Sequence, residues 1–246
     1  MEPISILIIV VVFFTASFFG SLIGGGGLIT VPTLIFMGLS PHMALGTGKI
    51  GAVGNTSGAA LGYGLQKKID YKMGFIFMVF AATGAIFGAF TVLSISEEIV
   101  KKIIGFVMVL ISLYLLLKKD TGKNTEKAKR NVAVFALFAL ASGLYSGFYG
   151  PGIGIINRLV LSAVFSYTII NSAALSTFSN TVTNLISLII FSLLGAVQFV
   201  LFIPIILSSF VGAYLGSKYA VKIGNVNVKR LLLGVAVIMA IKLLFF

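Results

Sequence analysis

The chain has 246 residues, 59% hydrophobic and only 10% charged, with 18 Lys+Arg against 6 Asp+Glu and a formal net charge of +12. A soluble domain of this length needs a polar surface that such a composition cannot supply. Cysteine is absent, which excludes disulfides, thiol catalysis and thiolate metal sites.

Apolar segments fall at 4–23, 28–38, 42–65, 73–94, 97–117, 131–149, 153–169, 172–194, 199–217 and 228–246. Runs of about 20 apolar residues can cross a bilayer as helices, so the fold class is all-α and polytopic in a membrane. The first stretch, M-E-P-I-S-I-L, lacks a basic leader and reads as a span and not as a cleaved signal. Segments 28–38 and 153–169 are short for a crossing at ~1.5 Å per residue, and whether they cross or re-enter stays open. Ser96-Glu97-Glu98 reads as a helix cap with an acidic first turn. Lys118–Arg130 (K-K-D-T-G-K-N-T-E-K-A-K-R) is polar and divides the chain. The expected organisation is an N-terminal membrane repeat 1–117, a cytosolic basic linker 118–130 and a C-terminal membrane repeat 131–246.

The two parts echo each other. Ala16–Gly27 (A-S-F-F-G-S-L-I-G-G-G-G) returns as Ala141–Gly152 (A-S-G-L-Y-S-G-F-Y-G-P-G), Ala44–Thr47 as Ala174–Thr177, Gly84–Gly88 as Gly212–Gly216, and Val100–Lys102 as Val228–Arg230. Charge then separates a parallel from an inverted repeat. With inversion, Lys67, Lys68, Lys72, Lys218, Lys222, Lys229 and Arg230 share the linker's side, leaving Lys101, Lys102 and Lys242 opposite. The positive-inside rule prefers that arrangement, with both termini outside. The basic excess therefore reads as topology and contact with anionic lipid, and not as nucleic-acid binding.

Within the echo, Gly24–Gly27 and then Pro32 break a helix that would otherwise continue. Each glycine costs up to ~1 kcal/mol against alanine there, and proline removes a donor. Broken backbone at membrane depth persists only where protein buries it or it lines a watery cavity. Interrupted segments at matching places in two repeats point to a transporter's binding site.

The glycine cluster with Pro32, the A-L-G-T segment, the altered second copy Ser146–Gly154 and the G-A-x-x-G pairs together resemble the TauE/SafE family over essentially the whole chain. That resemblance implies export of small sulfur-containing oxyanions or organosulfonates, such as sulfite or sulfoacetate, without an ATPase domain. In the second copy Pro151 and Ile153 replace glycines, and Arg158 stands near the position of Pro32.

The residues read the same way in sign. Glu2, Asp70, Glu97, Glu98, Asp120 and Glu126 all fall at ends or in loops, whereas Lys49 and Arg158 fall in apolar surroundings. A lone cation at mid-bilayer costs from ~2.5 kcal/mol upward and needs a partner; an anionic ligand is one. Freed N–H groups at a glycine turn are another anion-favouring element. The plainer alternatives are snorkelling or carbonyl pairing for Lys49 and an interfacial anchor for Arg158. Candidate substrate-binding residues are Gly24, Gly25, Gly26, Gly27, Thr47, Lys49, Asn55, Tyr145, Gly150, Gly152, Arg158, Thr177 and Asn180. Thr47 and Thr177 rank first among the hydroxyls because they match in the repeat. Gly84/Gly88 and Gly212/Gly216 are assigned to helix packing, and His42 to a cap or surface role.

The expectation is a secondary transporter, an exporter of small anions by alternating access, in the inner membrane of a prokaryote. The alternative is an anion channel with a glycine-lined filter. A membrane enzyme has little to stand on, with one His and no paired acids in the spans. No cofactor or catalytic metal is expected. The expected partners are a small anionic substrate and membrane lipids, with no nucleic acid; a homodimer and a coupling ion are left open.

Overall fold

A computed structural model describes the backbone of residues 3–100, 102 and 131–245, and side chains as far as Asn227. The 118–130 linker, the segment expected at 97–117 and the Val100–Lys102/Val228–Arg230 echo lie wholly or partly outside the described residues.

The helices are α1 (Pro3–Ile23), α2 (Gly27–Phe36), α3 (Pro41–Leu65), α4 (Tyr71–Leu93), α5 (Val132–Phe148), α6 (Ile153–Ala163), α7 (Ile169–Leu193) and α8 (Phe202–Phe245). Their starts follow local chemistry. Asp70 caps α4 by accepting from Met73 N at 3.2 Å, and Asn131 caps α5 through Ala133 N at 3.0 Å. Thr168 caps α7 through Asn171 N at 3.2 Å. α3 opens on Ser40-Pro41, with proline at the position where a missing N–H costs nothing.

Two segment limits differ from the sequence reading. The segment expected at 153–169 is helical only to Ala163, because Ser166 takes a left-handed φ of 58° and Thr168 starts the next helix. The spacer expected at 218–230 is helical, broken only at Gly224, whose φ is 78° and ψ 168°. Lys218 and Lys222 on it are exposed, and Lys218 Nζ lies 5.0 Å from the Tyr214 ring centre.

Packing proceeds in the order α1, α8, α3, α7, α4, α5, and the short α2 and α6 rest on α3 and α7 respectively. Exchanging α1–α4 for α5–α8 leaves the main pairs of this pattern unchanged. Glycines set the outer pairs: a Cβ on Gly84 or Gly88 would strike the α5 backbone at Leu140–Phe148, and one on Gly143 or Gly147 would strike α4 at Ala81 and Ala85. Gly212 and Gly216 sit on Phe14 and Phe18 of α1 in the same way. Small residues let backbones approach where lipid tails supply no hydrophobic drive between helices.

These registers also fix direction. Along α4 and α5, and along α1 and α8, residue numbers rise together. So they do along α3 and α8, where Gly54 meets Ile206, Gly58 meets Phe210 and Gly62 meets Ser217. By contrast, Leu45 and Ile50 of α3 cluster with Leu188 and Phe191 of α7, and Ala59 and Tyr63 with Ile169 and Ala173. Those two helices are antiparallel. The C-terminal end of α4, Ala89 and Val92, shares the early cluster of α3 with the end of α7. Thus α1, α3 and α8 run one way and α4, α5 and α7 the other.

Among the described residues four helices are long and apolar enough to cross a membrane: Ile4–Ile23, Tyr71–Leu93, Ile169–Leu193 and Phe199–Asn227. Their outward faces carry exposed Leu7, Phe87 and Leu207, as does α5 with Leu137. α3 is less apolar but lies in the middle of the bundle, where its glycines and polar residues face protein.

Candidate functional site

α1 and α2 are separated by Ser-free, glycine-only backbone. Gly24 takes φ 97°, a conformation that costs an L-residue ~1–2 kcal/mol. A Cβ there would also come within 3 Å of the Gly154 carbonyl and of Ile155 N, in α6's first turn. α5 and α6 are separated by Gly150 and Gly152, with φ 88° and 85°. The two turns touch: Gly24 lies on Gly154, and Gly27 lies on Pro151.

Beside them is a cavity of about 100 Å³, bounded by α1, α2, both turns, α6, and the middle stretches of α3 and α7. Ten of the expected residues line it: Gly24, Gly26, Gly27, Lys49, Asn55, Gly150, Gly152, Arg158, Thr177 and Asn180. Gly25, Thr47 and Tyr145 stand outside its wall. Gly25 faces the Ile155 side chain. Tyr145 donates to Pro151 O at 2.8 Å and so braces the second turn. Thr47 accepts from Gln198 N at 3.0 Å, steadying the entry to α8; matching position in the repeat does not give it the surroundings of Thr177.

Arg158 is 1% exposed and Lys49 3%, so Arg158 is not an interfacial anchor. Arg158 Nη2 donates to Ser21 O at 2.8 Å and Gly20 O at 3.2 Å, in the last turn of α1. Lys49 Nζ donates to Ser146 O in the last turn of α5. Helix C-termini leave carbonyls without partners and carry a negative dipole end, which suits both cations. Neither has an ion-pair partner among the described residues, where the ion pairs are His42–Glu97 and Lys102–Glu98. His42 lies away from the cavity, its Nε2 3.1 Å from Val92 O.

Four buried polar atoms at the cavity lack a partner among the described residues: Arg158 Nε and Nη1, the Tyr149 hydroxyl and Asn180 Oδ1. Such groups each cost ~1–3 kcal/mol unless something occupies them. Three are donors, two of them on the Arg158 guanidinium and the third the Tyr149 hydroxyl. The hydroxyls of Thr177 and Thr56 give their hydrogens to Ala173 O and Ala52 O, both at 2.8 Å, so they offer lone pairs to the cavity. Asn55 Nδ2 is engaged with Ser17 O at 3.0 Å.

Thr56 and Ser176 line the wall but are not among the expected residues. Helical spacing points to both: Lys49, Ala52 and Thr56 form one stripe of α3, and Ser176, Asn180 and Asn184 one stripe of α7. Ser17 and Gly20 give no such signal, since they line the cavity only because α1 ends beside it.

The family described as "Sulfite exporter TauE/SafE" matches residues 8–243. The chain belongs to the TauE/SafE family. Among its relatives are a "Probable membrane transporter protein" of Haemophilus influenzae, 30% identical over 89% of this chain and 86% of that protein, and "Probable membrane transporter protein ORF9" of Sinorhizobium sp, 30% identical over 89% and 84%. "Probable membrane transporter protein YdhB" of Bacillus subtilis is 26% identical over 89% of this chain and 90% of that protein. No solved structure matches. This TauE/SafE chain is a membrane transporter, multi-pass by its apolar helices.

Proposed function

We propose that this protein is a secondary transporter that exports small anions, of the sulfite or organosulfonate class, across the inner membrane of a prokaryote by alternating access. The observation that carries the reading is the Arg158 guanidinium: fully buried, without a carboxylate partner among the described residues, and with two N–H-bearing nitrogens unpartnered at a cavity between two broken helices. A desolvated cation with spare donors favours an anion over a neutral solute. The sulfur-oxyanion class and the export direction come from the family's description.

The working units are an inverted pair of repeats, 1–117 and 131–246, joined by a cytosolic linker. Three findings support inversion: the exchange-symmetric packing, the opposite directions of α1 and α5, and those of α3 and α7. Each repeat contributes one glycine turn, one short helix and one wall of the site. Rocking of one repeat against the other would then open the cavity to either side. The ligand needs no cofactor; membrane lipid surrounds the bundle.

The test is flux in proteoliposomes with sulfite, sulfoacetate, thiosulfate and chloride. Saturable exchange of the sulfur oxyanions, with no single-channel current, is the expected result. Lys49→Ala and Arg158→Ala should each weaken flux while the protein stays folded. Unchanged flux in both variants rejects the cation-centred site, and unitary currents favour a channel. Tags on both termini should be accessible from outside; a cytosolic C-terminus rejects the inverted arrangement.

A further inference from the structure

Ser21 and Ser146 hold matching places in the repeat, in the last turns of α1 and α5. Each carbonyl is bound by a cation from the opposite half: Ser21 O by Arg158, Ser146 O by Lys49. The cations themselves do not match in the repeat, since Arg158 sits on short α6 and Lys49 on long α3. The reciprocity is therefore one of role, reached by different side chains.

The two holds differ in strength. Arg158 grips two successive carbonyls, and Ser21 O also accepts from Tyr63 OH at 2.8 Å. Its Nε and Nη1 remain for a ligand, so binding does not require it to let go. The planar fork is rigid and multidentate. Lys49 is a point charge on a flexible stem with one recorded bond, to Ser146 O. It lies against Gly150: a Cβ on that residue would come 2.9 Å from Nζ. The turn it holds has two left-handed glycines, Gly150 and Gly152, against Gly24 alone in the other. Both cations line the same cavity.

We propose that Lys49 is a releasable latch on the second glycine turn: an anion beside Arg158 draws the Lys49 ammonium off Ser146 O, freeing the end of α5 to move while Arg158 keeps the end of α1 fixed. Binding thereby becomes opening of one chosen turn. This rests on the reading of the cavity as an anion site. Lys49 acts through the α5 backbone and is a positioning residue in addition to any contact with the ligand. A ligand moves such an equilibrium only by its preference for one state, and the preference here is a Coulombic one for a free ammonium in a desolvated cavity.

The chain has no cysteine, so Ser146→Cys and Ser21→Cys report on the two turns without background. In proteoliposomes, a water-soluble maleimide should label Ser146→Cys at least about tenfold faster with sulfoacetate present, and Ser21→Cys at a rate changed by less than about twofold. Lys49→Met added to Ser146→Cys should give the fast rate without sulfoacetate; Lys49→Arg should restore the slow rate, with a smaller acceleration by sulfoacetate because a guanidinium fork lets go of a carbonyl less readily. A purely structural role for Lys49 would not produce the response to anion. If Lys49→Met does not fold, Lys49→Gln, with a shorter neutral arm, should label fast in its place. Equal responses at Ser21→Cys and Ser146→Cys, or none to the Lys49 variants, overturn the latch. Fast labelling in Lys49→Met with no response to sulfoacetate upholds the bond to Ser146 O but overturns its release by anion, and flux of sulfoacetate through the same vesicles shows whether the anion reading fails with it.

Discussion

The two glycine turns have the same job in the backbone and opposite equipment around it. The first is four glycines followed by a short helix holding Pro32; it carries no charge and is pressed against Gly154 and Pro151. The second is Gly150-Pro151-Gly152 followed by a short helix holding Arg158. Where the first half spends its breakable position on proline, the second spends it on a guanidinium. The first half places its cation instead on α3, one helix later. What this teaches is that the two halves share the breach and its packing but place their polar chemistry differently.

The largest test of that contrast is to remove each special residue. Arg158→Met should lower anion flux about 100-fold, as expected for losing a charge-assisted contact of ~3 kcal/mol. It also removes one of the two donors that each of the Gly20 and Ser21 carbonyls holds, so detergent melting should shift down as well. Pro32→Ala should change flux by less than about threefold. Equal losses would mean that the short helices act alike and that charge is not what separates them.

Next come the glycines. Gly24→Ala meets both the left-handed φ and the backbone of Gly154 and Ile155, and should cost ~2–3 kcal/mol, read as a loss of folded yield and melting temperature. Gly25→Ala meets only the flexible end of Ile155, at 3.1 Å, and should cost less than ~1 kcal/mol. Similar melting of the two would show the cluster to be generic spacing and not one required turn.

The smallest effect sets the two asparagines apart. Asn180 presents an unpartnered Oδ1 to the cavity, so Asn180→Ala should raise the KM for flux about three- to tenfold with little change in melting. Asn55 already holds Ser17 O, so Asn55→Ala should lower melting, by the ~0.6 kcal/mol typical of interhelical bonds in membranes, with KM within about twofold.

Helix placement among the described residues was largely legible because hydropathy and the Gly/Pro punctuation act locally; the break at Gly24–Gly27 and the α3 start at Pro41 are instances. The cations were legible because charge in an apolar run is expensive wherever the chain goes. What sequence could not give was the tertiary assignment of equivalent residues. Thr47 and Thr177 are alike by alignment, yet one meets Gln198 N and the other the cavity. Ser17 and Gly20 enter the wall only through the path of α1. Nor could charge counting foresee that 218–223 stays helical, since a helix leaving the membrane carries lysines as readily as a loop does.

The swapped outer pairs bear on biogenesis. Leu140, the seat of Gly84, follows it closely in the chain, so α4 and α5 can join soon after both emerge. Phe14 waits for Gly212, roughly 200 residues later, which at about 5–20 residues per second is on the order of 10 s or more of synthesis. Through that interval α1 stands in lipid without its final neighbour, exposing the carbonyl ridge on which Gly212 and Gly216 will settle. Helix α8 is thus the one that closes α1, and an arrest of translation before α8 leaves α1 without the partner its carbonyl ridge is shaped to take.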